Sequence, residues 1–262
     1  KKAMEMSDFE AAYSYFDHGI TFLPKKHWEE YYSLSLELFD LAAKCALTKG
    51  DFDSLTVLTE EVTTKTHDFK DKLNVMYLSV CALSISFRLP EAVRKGLHIL
   101  SKLDIGLHLE KVNPEASAKV TKDLLAAHPG DELLNYRRMT DPPMIMAMKV
   151  LVKVALGMNQ MSPEAVLPIV EKMIQLSLSH GLSPVTPIGL AYFGSYTAKI
   201  GHIEEGYRYV KFSLTLLQKI GSIENLGEIY GMATQIKCFV EPVQAVCEHP
   251  HFNNAYIAAM TS

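Results

Sequence analysis

A concentrated basic face is missing from this sequence of 262 residues. It has 26 lysines and arginines against 30 aspartates and glutamates, and a formal net charge of −4 at pH 7. The basic residues are dispersed along the chain, whereas a duplex-binding protein concentrates them on one face to neutralise phosphates. We therefore expect no nucleic-acid partner.

Cysteine is also scarce, with four residues at Cys45, Cys81, Cys238 and Cys247. The first three lie within apolar helical patterns, where a free thiol behaves as a small hydrophobic side chain. Disulfide frameworks are typical of small extracellular domains that are dense in cysteine. The sequence therefore predicts a reducing compartment and an intracellular, cytoplasmic location.

An apolar segment that could direct secretion or cross a bilayer is not visible either. The sequence begins with two lysines that lead to Glu5 and Asp8, which is not the pattern of a secretory signal. The longest apolar run, residues 144–158, is interrupted by Lys149 and Lys153 and is shorter than the ~20 residues that a spanning helix needs. We expect a buried helix, no membrane insertion and, because position 1 is not methionine, a segment that starts inside a longer product.

Sequence motifs for nucleotide binding and catalysis are absent. No P-loop, dinucleotide fingerprint, nucleophile elbow or zinc-protease helix motif occurs. We expect no enzymatic activity, no catalytic residues and no cofactor in this segment.

One cluster has residue types that bind metals, namely Cys247, His249 and His251 with Cys238 nearby. Zinc accepts thiolate and imidazole ligands. The spacing matches no common structural site, however, and Pro250 stiffens the segment. A solvated loop at a helix end is the favoured interpretation, and no metal is expected.

Helical periodicity is the dominant signal in this sequence. Apolar residues recur at three- and four-residue steps from Phe9 to Leu23, which predicts one buried face of a helix. Ser7 and Glu10 have the spacing of its capping box, and Asp51 is a candidate N-cap of a later helix. The predicted helices span 9–23, 27–49, 51–67, 70–88, 90–104, 114–127, 141–159, 163–180, 184–200, 203–220, 224–240 and 242–258.

The helices form a degenerate repeat. Residues 47–55 and 198–206 each contain a helix end, a glycine stop, a short turn and the start of a second helix. Helix pairs of roughly 35–40 residues fall in the range of tetratricopeptide-like solenoids. We therefore predict an all-α, tetratricopeptide-like α-solenoid of antiparallel helix pairs. Its predicted parts are an N-terminal half at 1–106, an irregular or helical connection at 107–138 and a C-terminal half at 139–262.

Five side chains are candidates for an interaction surface. Tyr192, Tyr196 and Tyr207 form an aromatic group suited to ligand binding, although packing within and between repeats is the more common role at this spacing. Arg137 and Arg138 precede a turn and could clamp an anion, although a pair of solvated charges is the more common outcome.

Several stretches together resemble a known helical region. They are YFDHGITFLP at 15–24 followed by Trp28 and Tyr31, LELFDLAA at 36–43, MTDP at 139–142, MIQLSLSHGLSP at 173–184, AYFG at 191–194, GYRYVKFSLTLL at 206–217 and EPV at 241–243. The region they resemble follows the predicted ATPase of very large serine/threonine kinase–ATPase–sensor histidine kinase polypeptides. The resemblance covers most of the chain and implies a tetratricopeptide-like solenoid without transferable catalytic residues. The sequence after Phe252 departs from that family, because it lacks the acidic, glycine-containing ending.

The resemblance implies a regulatory module that binds protein or peptide partners and is covalently linked to ATPase and kinase domains. A first alternative is a stand-alone solenoid that serves as a scaffold or linker subunit of a stable assembly. A second alternative is an enzyme or small-ligand sensor built in a helical pocket around the central tyrosines. Such a pocket needs convergent polar groups in a cavity.

Overall fold

The computed structural model describes residues 1–107, 109 and 113–239, and this part of the chain contains helices and turns without a β-strand. The protein is therefore all-α, as predicted. The chain divides into two compact units, Lys1–Ile105 and Gly106–Ser262. The α-helices are α1 (Lys2–Glu5), α2 (Phe9–Thr21), α3 (His27–Glu30), α4 (Tyr32–Lys49), α5 (Phe52–Lys65), α6 (Phe69–Ile85), α7 (Leu89–Lys102), α8 (Pro114–Ala127), α9 (Gly130–Leu134), α10 (Pro142–Met161), α11 (Val166–His180), α12 (Thr186–Lys199), α13 (Ile203–Ile220) and α14 (Leu226–Lys237).

In the first unit, each helix packs mainly against its neighbours in the sequence. Helix α4 contacts α2 and α5, α6 contacts α5 and α7, and α4 also contacts α6. The buried faces of α2, α4 and α5 contribute Phe16, Phe39, Ala43 and Leu58 to one hydrophobic core. Burial of such side chains stabilises the unit by roughly 1.5–3 kcal/mol for each large residue.

The second unit repeats this mode of packing. Helices α10 to α13 each contact the next helix in the sequence, α10 also contacts α12, and α12 also contacts α14. Helix α12 is the most enclosed of these helices, since every residue from Thr186 to Ser195 is buried. Its aromatic side chain Phe193 packs edge-on against Tyr209 of α13, with the ring centroids 4.9 Å apart.

Helix termini follow the sequence signals with local exceptions. Asp51 caps α5 by accepting a hydrogen bond from the Ser54 amide at 3.0 Å, as predicted. The predicted capping box of Ser7 and Glu10 is wrong, because Asp8 is the N-cap of α2 and accepts from the Ala11 amide. Ser7 instead has a φ of +59° and belongs to the turn before the helix.

Two predicted helices are interrupted. The helix predicted at 27–49 is divided at Tyr31, whose φ of −132° takes it out of the helical region. The helix predicted at 163–180 begins with a 3₁₀ turn at Pro163–Ala165, and the α-helix starts at Val166. Pro168 explains that start, because its missing amide hydrogen is tolerated in the first turn of a helix.

The segment between the two predicted halves contains two helices. Helix α8 packs against α11, and the short helix α9 packs against α13. The structure thus places residues 113–138 with the second unit, whereas the predicted three-part division stays a prediction. The last predicted helix, 242–258, lies outside the described residues.

Candidate functional site

Helices α12 and α13 approach closely where two glycines face each other. A Cβ atom on Gly194 would lie 2.6 Å from the carbonyl oxygen of Gly206 and 2.7 Å from Cγ2 of Val210. A Cβ atom on Gly206 would lie 2.6 Å from the amide nitrogen of Ala198. Position 194 contacts 210 and position 198 contacts 206, so the residue number rises along α12 as it falls along α13. These two helices are therefore antiparallel. The contact fixes the position of α12, which carries two of the predicted site residues.

Tyr192 is buried in the core of the second unit, with 5% of its surface exposed. Its hydroxyl donates a hydrogen bond to Oε1 of Glu228 on α14, and the Asn225 side chain donates to Oε2 of the same carboxylate. Burial, and then the nearby carboxylate, raise the pKa of Tyr192 above its ordinary value. Tyr192 therefore holds α14 against α12.

A groove of about 230 Å³ lies next to Tyr192. Its lining from α12 includes Ser195, Tyr196 and Lys199, which follow Tyr192 at three- and four-residue steps. Such steps place side chains on one face of a helix. The remaining lining comes from α10, the 3₁₀ turn, α11 and α14, namely Asn159, Pro163, Glu164, Val166, Leu167, Met232 and Gln235.

The groove combines apolar and hydrogen-bonding groups. Met232 and Tyr196 are half-buried, and Lys199 and Gln235 are exposed. The amide of Asn159 offers both donors and an acceptor. This set of side chains can bind a polar backbone together with an apolar side chain.

The other predicted site residues lie outside the lining of this groove. Tyr207 is half-buried on α13, and the Lys211 amine lies 5.9 Å from the centroid of its ring. The Arg137 guanidinium donates to the carbonyl of Ser179 near the end of α11. The Arg138 guanidinium donates to the carbonyl of Lys219 near the end of α13, at 2.7 Å. Cations at helix C-termini satisfy free carbonyls and complement the helix dipole.

The first unit contains a second groove that no sequence motif indicated. A cavity of about 470 Å³ lies between α4 and α6, where its lining includes Asp40, Asp71 and Asn74. The Tyr32 hydroxyl donates to Oδ2 of Asp71 at 2.5 Å, and burial together with this carboxylate raises the pKa of Tyr32 to about 12. Asp40 and Asp71 are 31 positions apart, so no local motif joins them.

Asp40 is the unusual group of this second groove. Its Oδ1 atom is buried without a hydrogen-bond partner among the described residues. Burial raises the pKa of Asp40 to about 6, with a smaller contribution from Asp71 in the same direction and an opposing hydrogen bond from Asn74. A carboxylate in this environment weakens the folded state when it is ionised.

Metal-ligating side chains do not converge within residues 1–107, 109 and 113–239, where no group of three or more His, Cys, Asp or Glu residues could hold an ion. The cysteines Cys45 and Cys81 are buried, and Cys238 is exposed. The candidate cluster of Cys247, His249 and His251 lies outside the described residues. The expected absence of a metal stays a prediction.

Helix α10 is longer than the apolar run from which it was predicted. It has 20 residues with a mean hydropathy of 1.3 over its most apolar window, which satisfies the length and composition of a membrane span. The core helix of a soluble protein meets the same criteria. Half of that window is buried within the protein, and Lys149 of α10 pairs with Glu224 at 2.9 Å. These contacts match the expected buried helix, and the absence of membrane insertion stays a prediction.

The fold and its two grooves define an all-α protein with candidate binding surfaces on helix faces. Comparison with known proteins found no protein-family model and no curated protein that matches the chain.

Proposed function

We propose that this chain is a non-catalytic helical-repeat module that binds protein or peptide partners. In this proposal its helices form a tetratricopeptide-like α-solenoid of antiparallel pairs. The observation that carries the proposal is the groove beside Tyr192, to which α12 contributes four lining residues, α11, α14 and the 3₁₀ turn two each, and α10 one. In the proposed repeat, α10 and α12 are the first helices of the pairs α10–α11 and α12–α13, and α14 packs against α12. Solenoids of this kind bind partners along the surface that equivalent helices form together.

Two helix pairs support the repeat, because they share five buried positions in the same register. When Gly50 of the first pair is aligned with Gly201 of the second, both pairs place buried residues at every position compared. These positions are Phe39, Ala42, Ala43, Leu55 and Thr59 in α4–α5, and Leu190, Phe193, Gly194, Gly206 and Val210 in α12–α13. The second set has the tetratricopeptide spacing W-x2-L-G and A-x3-F, in which Gly194 keeps the residue type of the motif. The other four positions differ, with Leu190 in place of tryptophan, Phe193 of leucine, Gly206 of alanine and Val210 of phenylalanine.

The spacing of equivalent helices also supports the repeat. Helices α4 and α6 begin 37 positions apart, at Tyr32 and Phe69. Helices α11 and α13 also begin 37 positions apart, at Val166 and Ile203. Tetratricopeptide repeats have a period of about 34 residues. The first helix of one pair packs against the first helix of the next, as α4 does on α6 and α12 on α14.

The groove chemistry favours an extended peptide as the partner. Asn159 and Gln235 can hydrogen-bond both the N–H and the C=O groups of a peptide backbone. Met232 provides an adaptable apolar contact for a partner side chain. Lys199 and Tyr196 can anchor a polar or aromatic group at the rim.

A peptide-display selection against the complete chain tests this proposal. A selected peptide is titrated against the parent, a Tyr196→Ala/Gln235→Ala double variant and Lys211→Ala as the matched control. Lys211 is exposed on α13 and does not line the groove. We expect the double variant to bind at least tenfold more weakly, about 1.4 kcal/mol, and the control to bind like the parent. Equal binding by all three proteins would place the partner elsewhere and refute the groove as the site.

The covalent context is part of the proposal. The resemblance of residues 15–24, 173–184 and 206–217 to kinase–ATPase polypeptides supports a regulatory module, which biases an upstream ATPase between two states when a partner binds. A stand-alone scaffold or linker subunit of a stable assembly is the alternative. The intact mass of the native polypeptide separates the two. A mass far above 29.3 kDa with ATPase and kinase peptides supports the first, and a mass near that value supports the second.

A further inference from the structure

The second unit contains another cavity, of about 380 Å³, that shares no lining residue with the groove beside Tyr192. Its apolar lining comes from four helices and includes Leu125, Leu133, Leu190 and Phe212. Leu190 and Leu133 are buried, with 1% and 6% of their surfaces exposed. Volumes of roughly 300–1,000 Å³ with mostly apolar walls are typical of small-molecule sites.

Gly130 contributes to the shape of this cavity. A Cβ atom on Gly130 would lie 3.1 Å from Cε2 of Phe212, so the start of α9 contacts the ring closely. Helix α9 has five residues and covers only a short part of α13. The adjoining space between α8 and α13 is left open to solvent.

The charged side chains around this cavity differ in how they are paired. Lys122 pairs with Glu205 at 2.7 Å, and His128 pairs with Glu132 at 3.0 Å. Arg208 lines the cavity and is exposed, and its guanidinium makes no hydrogen bond or ion pair with any residue that the structure describes. A guanidinium in such a position is suited to bidentate binding of a carboxylate.

We propose that this cavity binds a small amphipathic carboxylic acid, with the carboxylate on Arg208 and the apolar body against Leu125, Leu133, Leu190 and Phe212. The site goes beyond the proposed peptide groove, because it shares no lining residue with that groove and takes a different class of ligand. The Tyr209 side chain also lines the cavity and forms part of the wall for the apolar body.

Titration of the complete protein with octanoate, followed by amide chemical shifts, tests the proposal. Octylamine serves as the probe with the opposite charge and the same apolar length. The variants are Arg208→Gln, which removes the cation, and Leu125→Trp, which fills the cavity from a half-buried position. Lys211→Gln is the control, since it removes a cation from the same helix outside the cavity. Circular dichroism of each variant verifies that the fold is retained.

We expect saturable octanoate binding with shifts around the cavity, and octylamine binding at least tenfold weaker. Arg208→Gln should weaken octanoate binding about tenfold or more, because a charge-assisted hydrogen bond is lost. Leu125→Trp should abolish binding, and Lys211→Gln should leave it unchanged. Absence of saturable octanoate binding, or equal affinity in the parent and Arg208→Gln, would overturn the proposal. If Leu125→Trp does not fold, the comparison of octanoate binding by Arg208→Gln and Lys211→Gln still tests the proposal.

Discussion

Gly194 and Gly206 bring the backbones of α12 and α13 into direct contact. A single methyl group at either position should therefore lower the stability of the protein. A Cβ atom on Gly194 would lie 2.6 Å from the Gly206 carbonyl oxygen, a separation that real Cβ atoms essentially never show. The obstacle is backbone, which cannot rotate away as a flexible side chain can. The two helices must therefore separate, and the packing around Val210 must loosen.

The magnitude follows from two opposing terms. Overpacking a well-packed interface costs about 1–3 kcal/mol, whereas alanine is better than glycine inside a helix by about 1 kcal/mol. Gly231 is a matched control, because it lies in α14 and is exposed, and a Cβ atom added there would meet no other atom within 4 Å. Gly231→Ala should therefore show only the stabilisation that comes from the higher helix propensity of alanine. The difference in unfolding free energy between Gly194→Ala and Gly231→Ala should be about 1–3 kcal/mol.

The assay is urea unfolding followed by circular dichroism at several wavelengths, with linear extrapolation to water. Coincident transitions at all wavelengths would support two-state unfolding of the whole chain, which the extrapolation requires. Gly206→Ala should behave like Gly194→Ala, and leucine at either position should destabilise the unit further. If Gly194→Ala were as stable as Gly231→Ala, the close helix contact would not exist, and the repeat pairing of α12 with α13 would be wrong.

Three further predictions concern single side chains. Tyr192→Phe should lower the free energy of unfolding by about 0.5–1.5 kcal/mol in urea melts, because it removes the hydroxyl donor of the half-buried Glu228 carboxylate. Asp40→Asn should stabilise the protein above pH 6 by roughly 2–3 kcal/mol, from about 1.4 kcal/mol per pKa unit. Since the folded pKa is raised from 3.8 to about 6, the parent loses stability relative to the variant as pH rises through that window, and the two should converge below it. Arg138→Ala should cost about 0.5–1.5 kcal/mol by freeing the carbonyl of Lys219 while peptide affinity stays unchanged, and a large loss of affinity instead would assign Arg138 to the partner surface.

Local sequence signals were sufficient for most of the helices. Proline at positions 90, 114 and 142 begins a helix or lies in its first turn, because the proline nitrogen needs no hydrogen-bond partner there. Gly50 and Gly221 end helices with φ values of +75° and +72°, a conformation that glycine adopts without strain. Boundaries were missed where tertiary contacts override local preference, as at Tyr31, where the helix breaks beside the hydrogen bond between the His27 ring and Ser35.

The candidate site was less accessible to sequence reasoning. The stripe of Tyr192, Ser195, Tyr196 and Lys199 follows helical spacing, so four of the eleven lining residues were detectable from α12 alone. Met232 reaches the same groove from α14, and the contact between α12 and α14 is not visible in local sequence patterns. The predicted aromatic group of Tyr192, Tyr196 and Tyr207 does not form one surface in the structure. Tyr207 lies on α13 outside the groove, whereas Tyr192 and Tyr196 lie on α12.

The central claim is that partners bind the face formed by equivalent helices of successive pairs. Its most direct test is an amide chemical-shift map of the isotopically labelled protein with the display-selected peptide bound. We predict that the shifts cluster at Ser195, Lys199, Met232 and Gln235, with little change on the exposed face of α13. Shifts confined to α13, or to the first unit, would contradict the claim.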